Sequence, residues 1–197
     1  MENQSRDLAR LHEEIRACTR CPLHRTRTQA VCGEGNRRAR LMLIAQAPGE
    51  REDREGRMFI GPSGKIFEEL LESAGICRED VYLTNLLKCR LPKNRRPRQD
   101  EIRACSAYLK REILLVEPEI LVPLGFYAAR QVLKLFGVPA PQGREAFKDF
   151  YGRLFLAPGV KIFPLPHPSC ILHNPTHKPG VLEKYRRLRT LWGNESV

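Results

Sequence analysis

The sequence predicts an α/β protein, a three-layer αβα sandwich built as a single domain around a central, mostly parallel, four-stranded sheet. Short, continuous apolar runs of the kind found in sheets covered on both faces occur at residues 41–44, 81–85 and 119–124. Segments with helical periodicity lie between and after these runs, at residues 62–75, 99–116 and 125–136. Strands that alternate with helices pair in parallel, so this pattern indicates a sheet with helices on both faces.

The rest of the chain extends this core at both ends. Residues 5–17 have the pattern of an amphipathic helix, residues 153–156 and 160–165 that of paired strands near the sheet edge, and residues 180–192 that of a final helix. At 197 residues the chain is long enough for one well-cored domain. We therefore predict one domain over residues 1–197.

The chain is strongly basic, with a formal net charge of +11. Lysine and arginine cluster at residues 37–40, 93–98 and 184–189. A basic surface attracts polyanions, so nucleic acid is the favoured partner, with solubility alone, RNA or a membrane surface as the other interpretations. No apolar run approaches the length of a membrane span, and the first residues do not form a signal peptide. We expect a cytoplasmic protein with no membrane partner.

Four of the seven cysteines form the pattern C-x2-C-x67-C-x15-C, which comprises Cys18, Cys21, Cys89 and Cys105. An odd number of cysteines in an intracellular protein argues against a disulfide framework. Four thiolates can instead hold a tetrahedral zinc ion or an iron–sulfur cluster. Because only one pair is local, the spacing favours a cluster without settling the metal. Either group would tie the N-terminal helix and CxxC segment to the middle of the chain.

Residues 45–64 form a long polar connection between the first predicted strand and the helix that follows it. Pro48 and Gly49 bend such a chain, while Gly61 and Gly64 allow backbone N–H groups to approach a ligand closely. Connections of this length in compact domains usually carry function. The segment also starts at the carboxyl end of a strand, where α/β proteins place their ligands.

Three connections should meet at that edge of the sheet, and together they carry the candidate site residues Gln46, Glu52, Asp53, Phe59, Asn85 and His167. The Asn85 amide offers both a donor and an acceptor, which suits the edge of a pyrimidine. Phe59 can stack on a base, although core packing is an equal interpretation. His167 lies between two prolines at a strand end. An aromatic ring, an amide and an imidazole suit a pocket for an extruded nucleobase.

These motifs resemble those of the iron–sulfur-containing family 4 enzymes of the uracil-DNA glycosylase superfamily. Residues 45–53 read AQAPGERED and residues 56–61 read GRMFIG, against a family pattern of GEAPGxxED followed by GRPFVG. The strand ending in Thr84-Asn85, the following Lys88-Cys89-Arg90 and the segment at residues 167–169 match in order and spacing. The four-cysteine spacing matches as well, and the resemblance covers residues 15 to 175.

The resemblance implies a monofunctional glycosylase that hydrolyses the N-glycosidic bond of deoxyuridine and leaves an abasic site. It implies that Phe59 stacks on the flipped uracil, that Asn85 reads its edge, and that His167 donates to O2 of the leaving anion. It places Glu52 against C5 and assigns a [4Fe–4S] cluster to the four cysteines, with zinc as the alternative. The remaining candidates are Gln46 as a catalytic residue, Ala47 and Ser169 as substrate contacts, and Ile171 and Leu172 as DNA wedges.

The chain departs from the family pattern at several positions. Gln46 replaces the usual Glu, and glutamine can orient a water molecule but cannot deprotonate it. Ala47 stands where family 1 enzymes carry the catalytic Asp, and His173 replaces a common Arg. These departures keep open an iron–sulfur DNA-binding protein with weak activity or with specificity for hypoxanthine or xanthine.

The predicted partner is DNA that contains uracil, in U:G pairs, in single strands or in U:A pairs. Because the free energy needed to extrude a base is lowest when the base is mismatched or unpaired, U:G should be preferred to U:A. We further expect a prokaryotic monomer associated with the nucleoid through DNA, with a sliding clamp as a candidate protein partner.

Overall fold

The structure is a computed structural model that describes residues 2–192, with side chains from residue 6 onward. Within this range, six strands form one mixed sheet: β1 (Glu34–Gly35), β2 (Leu41–Ala45), β3 (Val81–Asn85), β4 (Ile120–Pro123), β5 (Phe155–Ala157) and β6 (Val160–Ile162). Their order across the sheet is β1-β3-β2-β4-β6-β5. The four central strands are parallel, while β1 and β5 pair antiparallel at the two edges.

The predicted fold class is confirmed, and the sheet is wider than predicted. Four strands is the correct number for the parallel centre, and the two edge strands raise the total to six in the described residues. Strand β1 was missed because two residues are too short to show an apolar pattern. The paired strands expected near residues 153–165 are the β5–β6 hairpin.

The described helices are α1 (Glu2–Arg16), α2 (Glu50–Glu55), α3 (Pro62–Ser73), α4 (Gln99–Val116), α5 (Phe126–Leu135), α6 (Arg144–Phe147), α7 (Ser169–His173) and α8 (Lys178–Trp192). None of the helices in this part of the chain combines the length and apolarity needed to cross a membrane. Helices α1, α4 and α5 cover one face of the sheet, and α3 and α8 cover the other.

Alternate residues of the strands supply the two hydrophobic cores. Met42 and Ile44 of β2 point into the core shared with α1, α4 and α5. Leu41 and Leu43 point into the core shared with α3 and α8. Because successive side chains of a strand face opposite sides, a strand that is apolar at every position requires helices on both faces.

The long connection after β2 is partly helical, which the sequence did not predict. Helix α2 occupies residues 50–55 of this segment and buries two carboxylates, Glu52 and Asp53, in place of an apolar stripe. Without apolar residues at helical spacing, the segment has no periodic signal. The predicted loop at residues 90–98 contains only a short 3-10 turn, Pro92–Asn94.

The carboxyl ends of the parallel strands meet at one edge through direct backbone hydrogen bonds. The N–H of Leu86 donates to Ala45 O at 2.8 Å, and that of Leu87 donates to Gln46 O at 2.9 Å. On the other side of β2, the N–H of Gly125 donates to Leu165 O at 2.8 Å. The segments that carry the candidate site residues therefore lie side by side, as the sequence predicted.

A buried ion pair between the segment after strand β3 and helix α4 stabilises this edge of the sheet. The Lys88 ammonium lies 2.5 Å from Glu112 Oε2 of helix α4 and donates to Thr84 Oγ1 at 2.6 Å and to the Asn85 carbonyl oxygen at 2.9 Å. The side chains of Lys88 and Glu112 are 2% and 0% exposed. The pair therefore fixes the end of strand β3 on helix α4.

Replacing Lys88 should cost a large share of the stability of the fold. Lys88→Met leaves the Glu112 carboxylate buried without its cation, so we expect the free energy of unfolding to fall by about 3–5 kcal/mol. Urea denaturation followed by circular dichroism measures this change. Lys178→Met, which removes an exposed pair with Glu69, is the control and should cost no more than about 1 kcal/mol. Equal losses in the two variants would contradict the assigned role of Lys88.

Candidate active site and cysteine cavity

Asn85 is the last residue of strand β3, and its side chain points to the carboxyl edge of the sheet. The residue is 2% exposed, and its Nδ2 donates to Met58 Sδ at 2.9 Å. Within the described residues, its Oδ1 accepts no hydrogen bond. The acceptor of the amide is therefore available to a ligand.

Phe59 stands between a second aromatic ring and the candidate imidazole. One face of its ring stacks on Phe67, with centroids 3.9 Å apart and an interplanar angle of 10°. The His167 ring lies nearly parallel to Phe59 at a centroid distance of 6.0 Å. The structure thus brings the predicted stacking ring and the predicted histidine together.

The backbone of Phe59 is strained, and Glu52 holds it on one side. Phe59 has a φ of +50°, a left-handed conformation that is costly for a residue with a side chain. The buried carboxylate of Glu52 accepts hydrogen bonds from the N–H groups of Ile60 at 3.1 Å and Gly61 at 2.8 Å. Glu52 is therefore a positioning residue for this loop, and its predicted contact with C5 stays a prediction.

A second carboxylate, Glu34, holds the other side of Phe59. It accepts a hydrogen bond from the N–H of Met58 at 3.1 Å and pairs with Arg78 at 2.9 Å. Arg78 also donates to the carbonyl oxygen of Met58 at 2.6 Å. Sequence reasoning missed Glu34 and Arg78 because both lie outside the motif loop, and no local pattern connects them to it.

Gly64 allows helix α3 to start directly against Phe59. A Cβ atom at residue 64 would lie 2.0 Å from the carbonyl oxygen of Phe59, a distance that no side chain tolerates. Its N–H donates to Gly61 O at 2.8 Å. The close approach that the sequence assigned to Gly64 therefore serves the loop itself.

The hydrogen bonds of His167 determine which ring nitrogen carries the proton. The backbone N–H of Ser169 donates to Nδ1 at 3.2 Å, and Ser169 Oγ lies 2.8 Å from the same atom. A nitrogen that accepts from an N–H cannot be protonated, so the neutral ring carries its proton on Nε2. Burial lowers the pKa of His167 to about 4, which keeps the ring neutral at physiological pH.

Gly125 sets the position of the His167 backbone. It has a φ of +82°, and a Cβ atom there would lie 3.2 Å from the Cβ of His167. A side chain at residue 125 would therefore be strained and would also press on the histidine. Sequence reasoning used Gly125 only as the start of a helix.

The side chains of Gln46 and Ala47 lie at the same edge but are less constrained. Both are half-buried, and the Gln46 side chain makes no hydrogen bond within the described part of the chain. Its carbonyl oxygen is bonded to Leu87, so the backbone is fixed while the amide is available. Such an amide can orient a water molecule without acting as a base.

The structure separates the two predicted wedge residues. Ile171 is 5% exposed and packs in the core with α3 and α8, so it cannot enter a base stack without leaving that core. Leu172 is 44% exposed and lies on the surface of helix α7, five residues after His167. Only Leu172 keeps the exposure that a wedge requires.

A basic pocket of about 360 Å³ opens beside Phe59 and the start of helix α3. The side chains of Arg51, Arg57, Lys65 and Arg78 line it, together with Glu68. Asn85 and His167 lie outside this lining. The pocket is thus a cationic surface next to the site and has a charge that suits a polyanion.

The four cysteines of the spaced pattern line one cavity, although helix α1 and residues 88–105 are distant in sequence. Cys18 and Cys21 follow helix α1, Cys89 follows strand β3 and Cys105 belongs to helix α4. In the described residues, no three Cys, His, Asp or Glu side chains are grouped as a site for a single metal ion. The cavity nevertheless brings together four sulfur donors with no carboxylate among its lining residues.

Hydrogen-bond donors contact the sulfurs of Cys89 and Cys105. Arg27 Nη1 donates to Cys89 Sγ at 3.1 Å, and the backbone N–H of Lys88 points to Cys105 Sγ at 3.5 Å. Burial raises the pKa of Cys89 and raises that of Cys105 to about 12, so these thiols stay protonated unless a bound cation displaces the proton. Donors around buried sulfurs fit a thiolate-bound group.

Known proteins with similar sequences point to one family. A sequence profile of the Uracil DNA glycosylase superfamily matches residues 32–190. The chain is 39% identical to a Type-4 uracil-DNA glycosylase of Saccharolobus solfataricus over 94% of this chain and 86% of that protein. It is 40% identical to a Type-4 uracil-DNA glycosylase of Thermotoga maritima over 82% of this chain and 81% of that protein. A Type-5 uracil-DNA glycosylase of Pyrobaculum aerophilum is 31% identical over 83% and 87%, respectively. The chain therefore belongs to the uracil-DNA glycosylase superfamily and, within it, to the type-4 family.

Proposed function

We propose that this protein is a monofunctional uracil-DNA glycosylase that hydrolyses the N-glycosidic bond of deoxyuridine in DNA. The observation that carries the proposal is the arrangement of three groups at one edge of the sheet. A neutral His167 with its proton on Nε2 lies 6.0 Å from the Phe59 ring, and the Asn85 amide lies beside the same loop. The Type-4 relatives are named for this activity.

In this proposal His167 stabilises the leaving base. As the bond from C1′ to N1 breaks, its electron pair stays with uracil and negative charge develops on O2. A donor already aimed at that oxygen stabilises the charge without reorganisation. His167 is suited to this role because Ser169 fixes its Nδ1 as an acceptor and leaves the Nε2 proton free. Ser169 thus acts on the histidine, which extends its predicted role as a substrate contact.

Water completes the reaction by attacking C1′ of the positively charged sugar. We assign the orientation of this water to Gln46, and the proposal is supported by a side-chain amide that is not engaged elsewhere in the described residues. Capture of an oxocarbenium ion needs little basicity, so an oriented water suffices. The water loses a proton to solvent, the uracil anion takes one up from solvent, and the products are free uracil and an abasic site.

Base selection in this proposal depends on Asn85 and Phe59. Uracil presents a donor at N3 and an acceptor at O4, which match the acceptor and donor of the Asn85 amide. Cytosine presents the reverse pattern and is disfavoured. Phe59 supplies a stacking surface held in place by Phe67, and Leu172 is the proposed wedge in the emptied base stack.

We further propose that the four cysteines hold a [4Fe–4S] cluster, with zinc as the alternative. Their convergence on one cavity and the donors around their sulfurs support this proposal. When bound, the group would staple the end of helix α1 to helix α4 and to the segment after Asn85. Monomeric state, a sliding clamp and a nucleoid location stay predictions from the sequence.

The proposed activity is tested with labelled oligonucleotides that contain U:G, U:A or single-stranded uracil, followed by alkaline cleavage. We expect strand cleavage on all three, with single-stranded and U:G substrates preferred because extrusion costs least there. His167→Ala should lower the single-turnover rate by about 10²–10³, the usual loss for one preorganised donor. Cleavage of hypoxanthine or xanthine substrates without cleavage of uracil would contradict the proposal.

The rate should show no titration of a histidine at its ordinary pKa. Because burial lowers the pKa of His167 to about 4, the ring stays neutral when the pH falls through 6.5. Single-turnover rates on single-stranded substrate should therefore be flat between about pH 5.5 and 8. Below that range protonation of Nδ1 breaks the bond from Ser169, and the rate should fall. An inflection near the ordinary pKa would contradict the assigned tautomer and burial.

Gln46→Glu should raise the excision rate modestly. A carboxylate can both orient the water and accept its proton, but the captured cation needs little base strength. We expect a three- to tenfold increase in the single-turnover rate, below the usual range for a general base. Gln46→Ala is the matched variant and should lower the rate because the water loses its orienting group. If both variants match the wild type, Gln46 does not act on the water.

Metal analysis should find about four iron atoms per chain, the content of one cubane cluster. Protein purified without oxygen should be brown, and Cys105→Ser should lose the colour and most of the iron because one ligand is missing. Cys170→Ser, which changes a half-buried cysteine outside the cavity, is the control and should keep both. Stoichiometric zinc without iron would refute the cluster.

A further inference from the structure

The contact between Asn85 and Met58 is the closest interaction of the proposed base-reading amide. Nδ2 of Asn85 lies 2.9 Å from Sδ of Met58, and both residues are 2% exposed. Met58 occupies the position of proline in the family pattern GRPFVG. A proline there has no side-chain acceptor, so this interaction is a property of this chain.

The sulfur of Met58 can interact with only one end of the amide. A thioether accepts hydrogen bonds weakly and cannot donate. It therefore attracts the Nδ2 hydrogens of Asn85, whereas the lone pairs of Oδ1 would face the lone pairs of the sulfur. In this structure the amide has the attractive orientation, with Nδ2 on the sulfur and Oδ1 without a partner among the described residues.

The backbone of Met58 is fixed, and its side chain is buried against Asn85. Its N–H donates to Glu34 at 3.1 Å, and its carbonyl oxygen accepts from Arg78 at 2.6 Å. Asn85 is fixed as well, because its carbonyl oxygen accepts from the buried Lys88 ammonium at 2.9 Å. Neither backbone can withdraw without breaking charged hydrogen bonds.

We propose that Met58 is a specificity-determining residue that selects the uracil-reading orientation of the Asn85 amide and opposes the orientation that cytosine requires. The inference rests on the proposed function. Uracil needs Oδ1 opposite its N3–H and an Nδ2 hydrogen opposite O4, and the second Nδ2 hydrogen remains on the sulfur. Cytosine needs the amide reversed, which breaks the N–H···S bond and places Oδ1 against Sδ.

The expected effect is on discrimination more than on rate. Loss of one neutral hydrogen bond changes an equilibrium by about threefold to tenfold. Removal of the sulfur should therefore lower the preference for the uracil pattern by about that factor. A change of packing alone would alter both substrates in parallel and would leave their ratio unchanged.

The test compares 5-fluorouracil and 5-fluorocytosine in the same single-stranded oligonucleotide. Fluorine weakens the glycosidic bond in both, which brings the cytosine analogue into a measurable range and keeps the C5 substituent constant. Single-turnover rates are measured for the wild type, Met58→Leu and Met42→Leu. Met42 is a fully buried methionine of strand β2 and serves as the matched control.

We expect Met58→Leu to lower the ratio of fluorouracil to fluorocytosine excision by about threefold to tenfold, and Met42→Leu to leave it unchanged. Norleucine incorporated in the Met42→Leu background removes the Met58 sulfur with nearly constant shape and should reproduce the effect even if leucine disturbs packing. An unchanged ratio in both Met58 replacements would overturn the inference. A wild-type protein that removes neither uracil nor fluorouracil would instead overturn the proposed function.

Discussion

The buried ammonium of Lys88 connects the parts of the molecule on which the candidate site depends. Its side chain bonds Glu112 on helix α4 and the end of strand β3, while its backbone N–H points to the sulfur of Cys105. The next residue, Cys89, lines the cysteine cavity. A charge removed from water is stable only when it is paired with an opposite charge or hydrogen-bonded. Lys88 therefore links the edge of the sheet that carries Asn85 directly to the cysteine cavity.

On the opposite side of the site, the strained backbone of Phe59 likewise depends on several contacts that hold it in place. A left-handed phenylalanine costs of order 1–3 kcal/mol, so the loop adopts it only because surrounding contacts over-determine it. Glu52 and Glu34 bond the backbone on either side, and Gly64 leaves room for the Phe59 carbonyl. The two carboxylates thus serve as fixed acceptors for the backbone of this loop. The ring is thus held in place by its surroundings, and such preorganisation suits the stacking role that we propose for it.

The parts of this structure that the sequence predicted are those with local signals. Helix α4 begins and ends where its periodicity does, and the buried strands follow from continuous apolar runs. Helix α2 was missed because it buries carboxylates, and the pairing of Arg78 with Glu34 was missed because 44 residues separate them. The same holds for the orientation of the Asn85 amide. Its partner is a methionine, a residue type that in a sequence indicates only core packing. The fold brings the sulfur of this methionine to the amide, where it acts as a hydrogen-bond acceptor.

The neutral character of the proposed pocket indicates where the rate enhancement must originate. Position 46 carries an amide, position 47 a methyl group and position 58 a thioether, while the Glu52 carboxylate is engaged by backbone N–H groups. The one carboxylate among these residues has its Oε1 bonded to two backbone N–H groups. In the proposed reaction, stabilisation therefore acts on the departing base, through the neutral donor on His167. The orientation of this donor is therefore critical, because a neutral donor stabilises an anion well only if it already points at the anion. The hydrogen bond from Ser169, the backbone turn at Gly125 and the burial that keeps the ring uncharged all serve that aim.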